Sequence, residues 1–246
     1  MSLNDEKFPK TDEKHVGIEI ECYSPMGRYA VSQVFTRFKL EKYVQLSNDG
    51  SIEAPDTIDP DWEPIEDEDG YVVNEDDKYM SQYTYEIKVL AKQSELRQVL
   101  IKVGAALKEI QAGANESCGL HVHLDMRNRP LESSIKRLLN MQTLMLKSVP
   151  SHRRGNTYCK PVTSLDKSDL LSIGKYHTIH TEIFNDLRTV EIRVHEGTVD
   201  VSKIFNWCTF LIKTVDGKFA ERPLRTPNKL PIRVKKYITE RIKHAV

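Results

Sequence analysis

In Val16-Gly17-Ile18-Glu19-Ile20-Glu21-Cys22, apolar residues alternate with two carboxylates. The rhythm returns in Gly119-Leu120-His121-Val122-His123-Leu124 with two imidazoles, and in Thr189-Val190-Glu191-Ile192-Arg193-Val194-His195 with a carboxylate, a guanidinium and an imidazole. Successive side chains of a strand point to opposite faces, so each polar set shares one face, with Ile, Leu or Val on the other. A one-sided sheet ordinarily shows water Lys, Thr, Ser and Glu without special pattern. Here the polar face gathers the groups that hold divalent cations and anionic oxygens.

Between these strands the period changes. Val31, Val34, Phe35 and Phe38 give helical spacing over residues 27–40, and Leu96, Leu100, Val103, Leu107 and Ile110 give a stripe over 94–111. Further helices are predicted over 130–149 and 201–215, with a basic closing helix over 233–243. Strands are expected over 43–52, broken at Asn48-Asp49-Gly50, and over 83–90, where Glu86 and Lys88 share a face. Residues 174–184 and 188–195 read as antiparallel strands joined by a turn at Asn185-Asp186. Short strands, polar on one face and mixed irregularly with helices, predict an α+β fold: a mainly antiparallel sheet with helices on its apolar side.

Residues 1–14 read as a tail and 15–246 as a single domain, interrupted by an acidic surface insertion over 53–78 with three prolines. The 246 residues allow a substantial core, and a formal net charge of zero gives no global field toward nucleic acid or anionic lipid. No apolar run is long enough to span a membrane, and the four cysteines are scattered without a C-x-x-C, so a reduced, cytoplasmic protein with free thiols is expected. The oligomeric state is not legible.

Each polar pair has two readings taken alone. Glu19 and Glu21 are a solvated edge or a floor that needs a cation between its charges; Mg²⁺ and Mn²⁺ take such oxygen ligands. His121 and His123 are hydrogen-bonding residues or half of a metal site. Glu191 with Arg193 is a cross-strand ion pair or a place where metal and phosphate meet. Arg153 and Arg154, after Pro150, grip an anion or solvate a turn. No glycine-rich phosphate loop, nucleophile elbow or H-E-x-x-H motif occurs.

Together these residues resemble the amidoligase family of the carboxylate–amine ligase superfamily, which includes glutamine synthetase and glutamate–cysteine ligase. The matching elements, in the family's order over residues 15–215, are Gly17 to Glu21, Asp49-Gly50-Ser51, Tyr85-Glu86-Ile87, Ser117 to His123, Val149-Pro150 with Arg153-Arg154 and Asn156-Thr157-Tyr158, Lys175-Tyr176, and Thr189 to Arg193 with Glu196-Gly197-Thr198. The segment after Tyr176 departs, with His177-Thr178-Ile179-His180 where the family usually has Arg and Asn.

The resemblance implies a glutamine synthetase-like catalytic fold, a curved sheet whose concave face binds ATP and Mg²⁺ or Mn²⁺. It implies metal ligands at Glu19, Glu21, Glu86 and Glu191, with an imidazole from His121 or His123, and phosphate or substrate contacts from Arg193, Arg153, Arg154 and Lys175. Arg193 and Arg154 would serve catalysis. The partners would be small-molecule or peptide carboxylate and amine substrates, joined as an amide through an acyl phosphate. Two rival readings remain at this point: a non-catalytic binding module on the same fold, and a zinc-dependent hydrolase using Cys118, His121, His123 and His195.

Overall fold

The computed structural model describes residues 13–55, 58, 83–163 and 170–245. The tail over residues 1–12 and most of the acidic stretch over 53–78 lie outside the described residues. The strands are β1 His15–Tyr23, β2 Val44–Asn48, β3 Thr84–Lys92, β4 Gly119–Asp125, β5 Ile179–His180 and β6 Thr189–Glu196. They form one antiparallel sheet in the order β2-β3-β1-β4-β6-β5. The α+β class and the antiparallel sheet expected from the alternation are therefore present.

Seven α-helices accompany the sheet among the described residues: α1 Arg28–Arg37, α2 Leu96–Glu109, α3 Leu131–Lys147, α4 Ser151–Arg154, α5 Phe184–Leu187, α6 Val201–Asp216 and α7 Ile232–His244. α1 and α2 stop just before Lys39 and Gln111, whose φ values of 56° and 54° turn the chain out of the helix. α6 begins at Asp200, whose carboxylate accepts from Ser202 N at 2.8 Å and Lys203 N at 3.2 Å, satisfying donors that the first turn leaves free.

The apolar strand positions Ile18, Ile20, Ile87, Val122, Ile192 and Val194 are buried in one cluster with Leu100 and Val103 of α2, Leu138 of α3 and Trp207 and Leu211 of α6. Helices cover that face, and the opposite face keeps its charged side chains. Burial of this kind, about 25 cal/mol per Å² of apolar surface, is what holds the polar face in position. Among the described residues no helix is long and apolar enough to cross a membrane.

Two expectations need correction. The strand expected over 174–184 shrinks to Ile179–His180, and the turn at Asn185-Asp186 is the helical turn α5, closed by Arg188 at φ 56°. The uniform alternation of β6 also fails. The β4–β6 register shifts between Leu120 and Val122, so that Leu120 faces His195 while Val122 faces Ile192. The extra residue turns His195 to the apolar face, where it is fully buried with its ring 4.8 Å from that of Trp207.

Candidate active site

Register alone brings the polar residues together. Glu19 lies between Lys88 and His121, Glu21 faces Glu86, Gly17 faces His123, and His123 in turn faces Glu191. β5 then sets His180 opposite Glu191.

Side chains converge accordingly. Glu19 spans two imidazoles, with Oε2 3.3 Å from His121 Nδ1 and Oε1 3.3 Å from His123 Nε2. Glu21 accepts from Gly119 N at 2.5 Å, and its other oxygen lies 3.4 Å from His121 Nε2. Glycine at position 119 makes room for this contact, since a Cβ there would sit 2.9 Å from His121 Nε2 and 3.2 Å from Glu21 Oε2 and push those side-chain ends aside. Glu86 Oε2 accepts from Lys88 Nζ at 2.8 Å and from Ser47 Oγ at 3.2 Å. Glu191 is held from two sides, by His180 Nδ1 at 2.7 Å and by an Arg193 Nη at 2.5 Å. Only 3% of Glu191 is exposed, so its charge depends on these partners.

The electrostatics follow. Burial works to raise the Glu191 carboxyl, but the His180 hydrogen bond and the neighbouring His121, His123 and Arg193 charges outweigh it and bring the pKa down to about 2. Glu19 is lowered in the same way, with His121 and His123 overcoming burial. Glu86 moves the other way, raised by burial and by the Glu19 charge. His123 is raised: burial opposes its charge, but Glu19 and Glu191 prevail.

Among the described residues three sets each bring their ligand atoms within 4.8 Å of one another: Glu19, His123 and Glu191; Glu19, Glu86 and His121; and Glu21, Asp49 and Glu86. They overlap through Glu19 and Glu86; their carboxylate oxygens suit Mg²⁺ or Mn²⁺, and two of the three sets add one imidazole nitrogen. His123 Nε2 is buried without a hydrogen bond, although Glu19 is near. An unsatisfied imidazole nitrogen among carboxylates fits a cation.

The arginines divide. Arg193 stands beside Glu191, and Arg153, 4% exposed, donates to the Arg193 carbonyl at 2.9 Å. The Nε atoms of both are buried and unpartnered, so each keeps donor capacity for an anion. Arg154 lies apart from them. Its guanidinium donates to the Val149 carbonyl at 3.0 Å and to the Ala245 carbonyl, tying the end of α3 to the end of α7 instead of joining the cluster. Lys175 is exposed with its Nζ 5.2 Å from the centre of the Tyr176 ring, and no described contact joins it to the cluster.

The zinc site also needs correction. His195 faces the core, where burial lowers its pKa to about 4, and the buried Cys118 thiol lies 3.6 Å from Asn115 Oδ1. Among the described residues neither belongs to a group able to hold a metal with His121 and His123.

Asp49 and His180 join the cluster without having been assigned a role from sequence. Asp49 sits in a turn, where an acidic residue is ordinary. His180 lies on a two-residue strand too short to show a period.

No curated protein matches the chain. The family described as "putative amidoligase enzyme" matches residues 12–175, which include β1, Glu86, His121, His123 and Arg153. On that match and on the residues it spans, the chain belongs to the amidoligase family.

Proposed function

We propose that the chain is an ATP- and Mg²⁺- or Mn²⁺-dependent carboxylate–amine ligase with a glutamine synthetase-like catalytic fold. The observation that carries the reading is a shared acid–imidazole cluster flanked by two arginines with buried, unpartnered Nε atoms. Glu19, Glu21, Glu86, Glu191 and His123 would hold the cations. His121, within 3.5 Å of Glu19, Glu21 and Glu191, is the imidazole that orients them. Arg193 and Arg153 would meet the triphosphate. The carboxylates are metal holders, not general bases.

The reaction this arrangement suits runs in two steps. A carboxylate oxygen of the acyl substrate attacks the γ-phosphorus of ATP, ADP leaves, and an acyl phosphate forms. The amine then attacks the acyl carbon, the bond to the phosphate oxygen breaks, phosphate leaves, and the nitrogen loses a proton. Bound divalent ions would offset the repulsion between carboxylate and triphosphate. Arg193 and Arg153 contribute fixed donors where charge builds on the transferred group, which is electrostatic preorganisation. The substrates would be small or peptide-like acids and amines, and a cytoplasmic setting supplies both with ATP.

The test is ADP release in Mg²⁺ across a panel of carboxylate–amine pairs, read beside product masses. With a heavy-oxygen label in the carboxylate, the acyl-phosphate route delivers one labelled oxygen to the released phosphate. Amide formation with no label in phosphate would exclude that route, and no ADP release with any pair would count against the ligase reading.

A further inference from the structure

The functional face changes character along its length. On β3, Glu86 and Lys88 are followed on the same face by Leu90, and the register sets Leu90 opposite Gly17 of β1. This is the end of the sheet remote from Gly119 and Arg153: β1 runs from Glu21 through Glu19 to Gly17 and His15, while β4 runs from Gly119 to Asp125. A groove of about 500 Å³ opens here, and Glu19 and His123 line its inner end. That volume falls in the range of small-molecule sites. Leu90 and Leu187 line it although they are 58% and 46% exposed, together with Tyr43. Gly17 keeps the floor open, because a Cβ there would approach His123 Cβ to 3.1 Å.

Arg127 stands at the outer end of the groove. Asp125 fixes it through Nε at 2.9 Å and Nη2 at 2.7 Å, which orients the guanidinium as a rigid plane. Its Nη1 has no partner among the described residues, although the side chain lines the groove. From Glu19 to His15, whose Nδ1 is 3.3 Å from Arg127 Nη2, the strand advances about 13 Å. A carboxylate–imidazole inner end, a mainly apolar middle and an arginine at the outer end specify a ligand of matching polarity.

Resting on the ligase reading, we propose that this groove binds the acyl substrate, and that this substrate has an apolar body with a second carboxylate remote from the reacting one. The reacting carboxylate lies toward Glu19 and His123, the apolar body lies on Tyr43, Leu90 and Leu187, and the second carboxylate meets Arg127. Nucleotide phosphates keep the opposite end, at Arg153 and Arg193.

The test is calorimetric titration in Mg²⁺ with α,ω-dicarboxylates of graded chain length and with monocarboxylates of the same lengths. Wild type, Arg127→Gln and Leu187→Asp are compared, and each is also titrated with Mg²⁺ and a non-hydrolysable ATP analogue. At the best length the dicarboxylate should bind wild type about tenfold or more tightly than its monocarboxylate partner, roughly the value of one charge-assisted contact. Arg127→Gln should close that gap, and Leu187→Asp should weaken both acids. Nucleotide affinity should be unchanged in both variants.

Leu187 is half exposed, so its variant tests the groove even if loss of the Arg127–Asp125 pair disturbs folding. Equal binding of the two acids, no binding of either, or indifference to Leu187→Asp would overturn the proposal. Loss of nucleotide affinity in Leu187→Asp would also overturn it and give the groove to the base of ATP. If wild type binds nucleotide but no acid, only the groove assignment fails. If it binds acid but no nucleotide, the ligase reading fails instead.

Discussion

Glu21 and Glu86 stand directly opposite each other across β1 and β3, two carboxylates where a sheet ordinarily pairs unlike or neutral groups. Lys88, 2.8 Å from Glu86 and 3.8 Å from Glu19, offsets part of the repulsion from its place on the same strand. Gly119 N and His121 occupy Glu21. The remaining repulsion is what a bound cation would relieve, so stability should rise when divalent ions are added.

Replacing Glu86 or Glu21 with Gln removes one of the opposed charges while keeping its shape. Without divalent ions, thermal unfolding should occur at an equal or higher temperature than in wild type, by about 2–4 °C for each kcal/mol of repulsion relieved. The upward shift that Mn²⁺ gives wild type should largely vanish. An undiminished Mn²⁺ shift in both variants would take these carboxylates out of the metal site.

Much of this site was legible because the period of two survives folding wherever one face is buried. Glu19, Glu21, His121, His123 and Glu191 share a face as the alternation in β1, β4 and β6 implies. His195 escaped that logic for a physical reason. A bulge shifts the register after Ile192, between its partner Val122 and Leu120, and nothing local in Arg193-Val194-His195 announces it, since the shift is defined by pairing with β4. His180 and Asp49 were illegible for a related reason: their role comes from a long-range pairing and from a turn, not from periodicity. The place of Arg154 was illegible for another reason, because a dibasic pair looks the same whether its guanidinium meets an anion or a helix-end carbonyl.

The two adjacent arginines therefore separate experimentally. Arg154→Ala loses hydrogen bonds to the Val149 and Ala245 carbonyls and should cost about 1 kcal/mol of stability, with nucleotide affinity intact. Arg153→Ala should weaken nucleotide binding about tenfold, since it removes a buried guanidinium with an unpartnered nitrogen beside the cluster. Chemical denaturation and nucleotide titration of both variants check this. The reverse pattern would return Arg154 to the site.

Arg193→Lys keeps a positive charge near Glu191 and loses the planar fork. Turnover should fall about tenfold or more, while nucleotide affinity falls less, because the lost contact matters most as charge moves onto the transferred phosphoryl group. Steady-state rates with an established substrate pair, set beside nucleotide titration, provide the measurement. Wild-type turnover in the variant would make Arg193 a structural partner of Glu191 and leave the phosphate to Arg153.

Acid should destabilise the fold through His195 before Glu191 titrates. Burial against Trp207 lowers the His195 pKa from 6.5 to about 4. In the unfolded chain the ring binds a proton near its ordinary pKa, whereas the folded chain resists until about pH 4. Between these values the unfolded state holds more protons, so stability falls as pH drops from about 6.5 toward 4 and this cost is complete below that. The shift corresponds to roughly 3 kcal/mol at most. His195→Phe keeps a ring against Trp207 and removes the titration, at the loss of the Nδ1 contact with the Glu196 carbonyl, 2.7 Å away. Denaturation at pH 7 and pH 5 should therefore show a smaller pH-dependent loss in the variant than in wild type. Equal losses in the two proteins would mean that His195 is charged in the fold, with Glu196, 3.5 Å away, as its counter-ion.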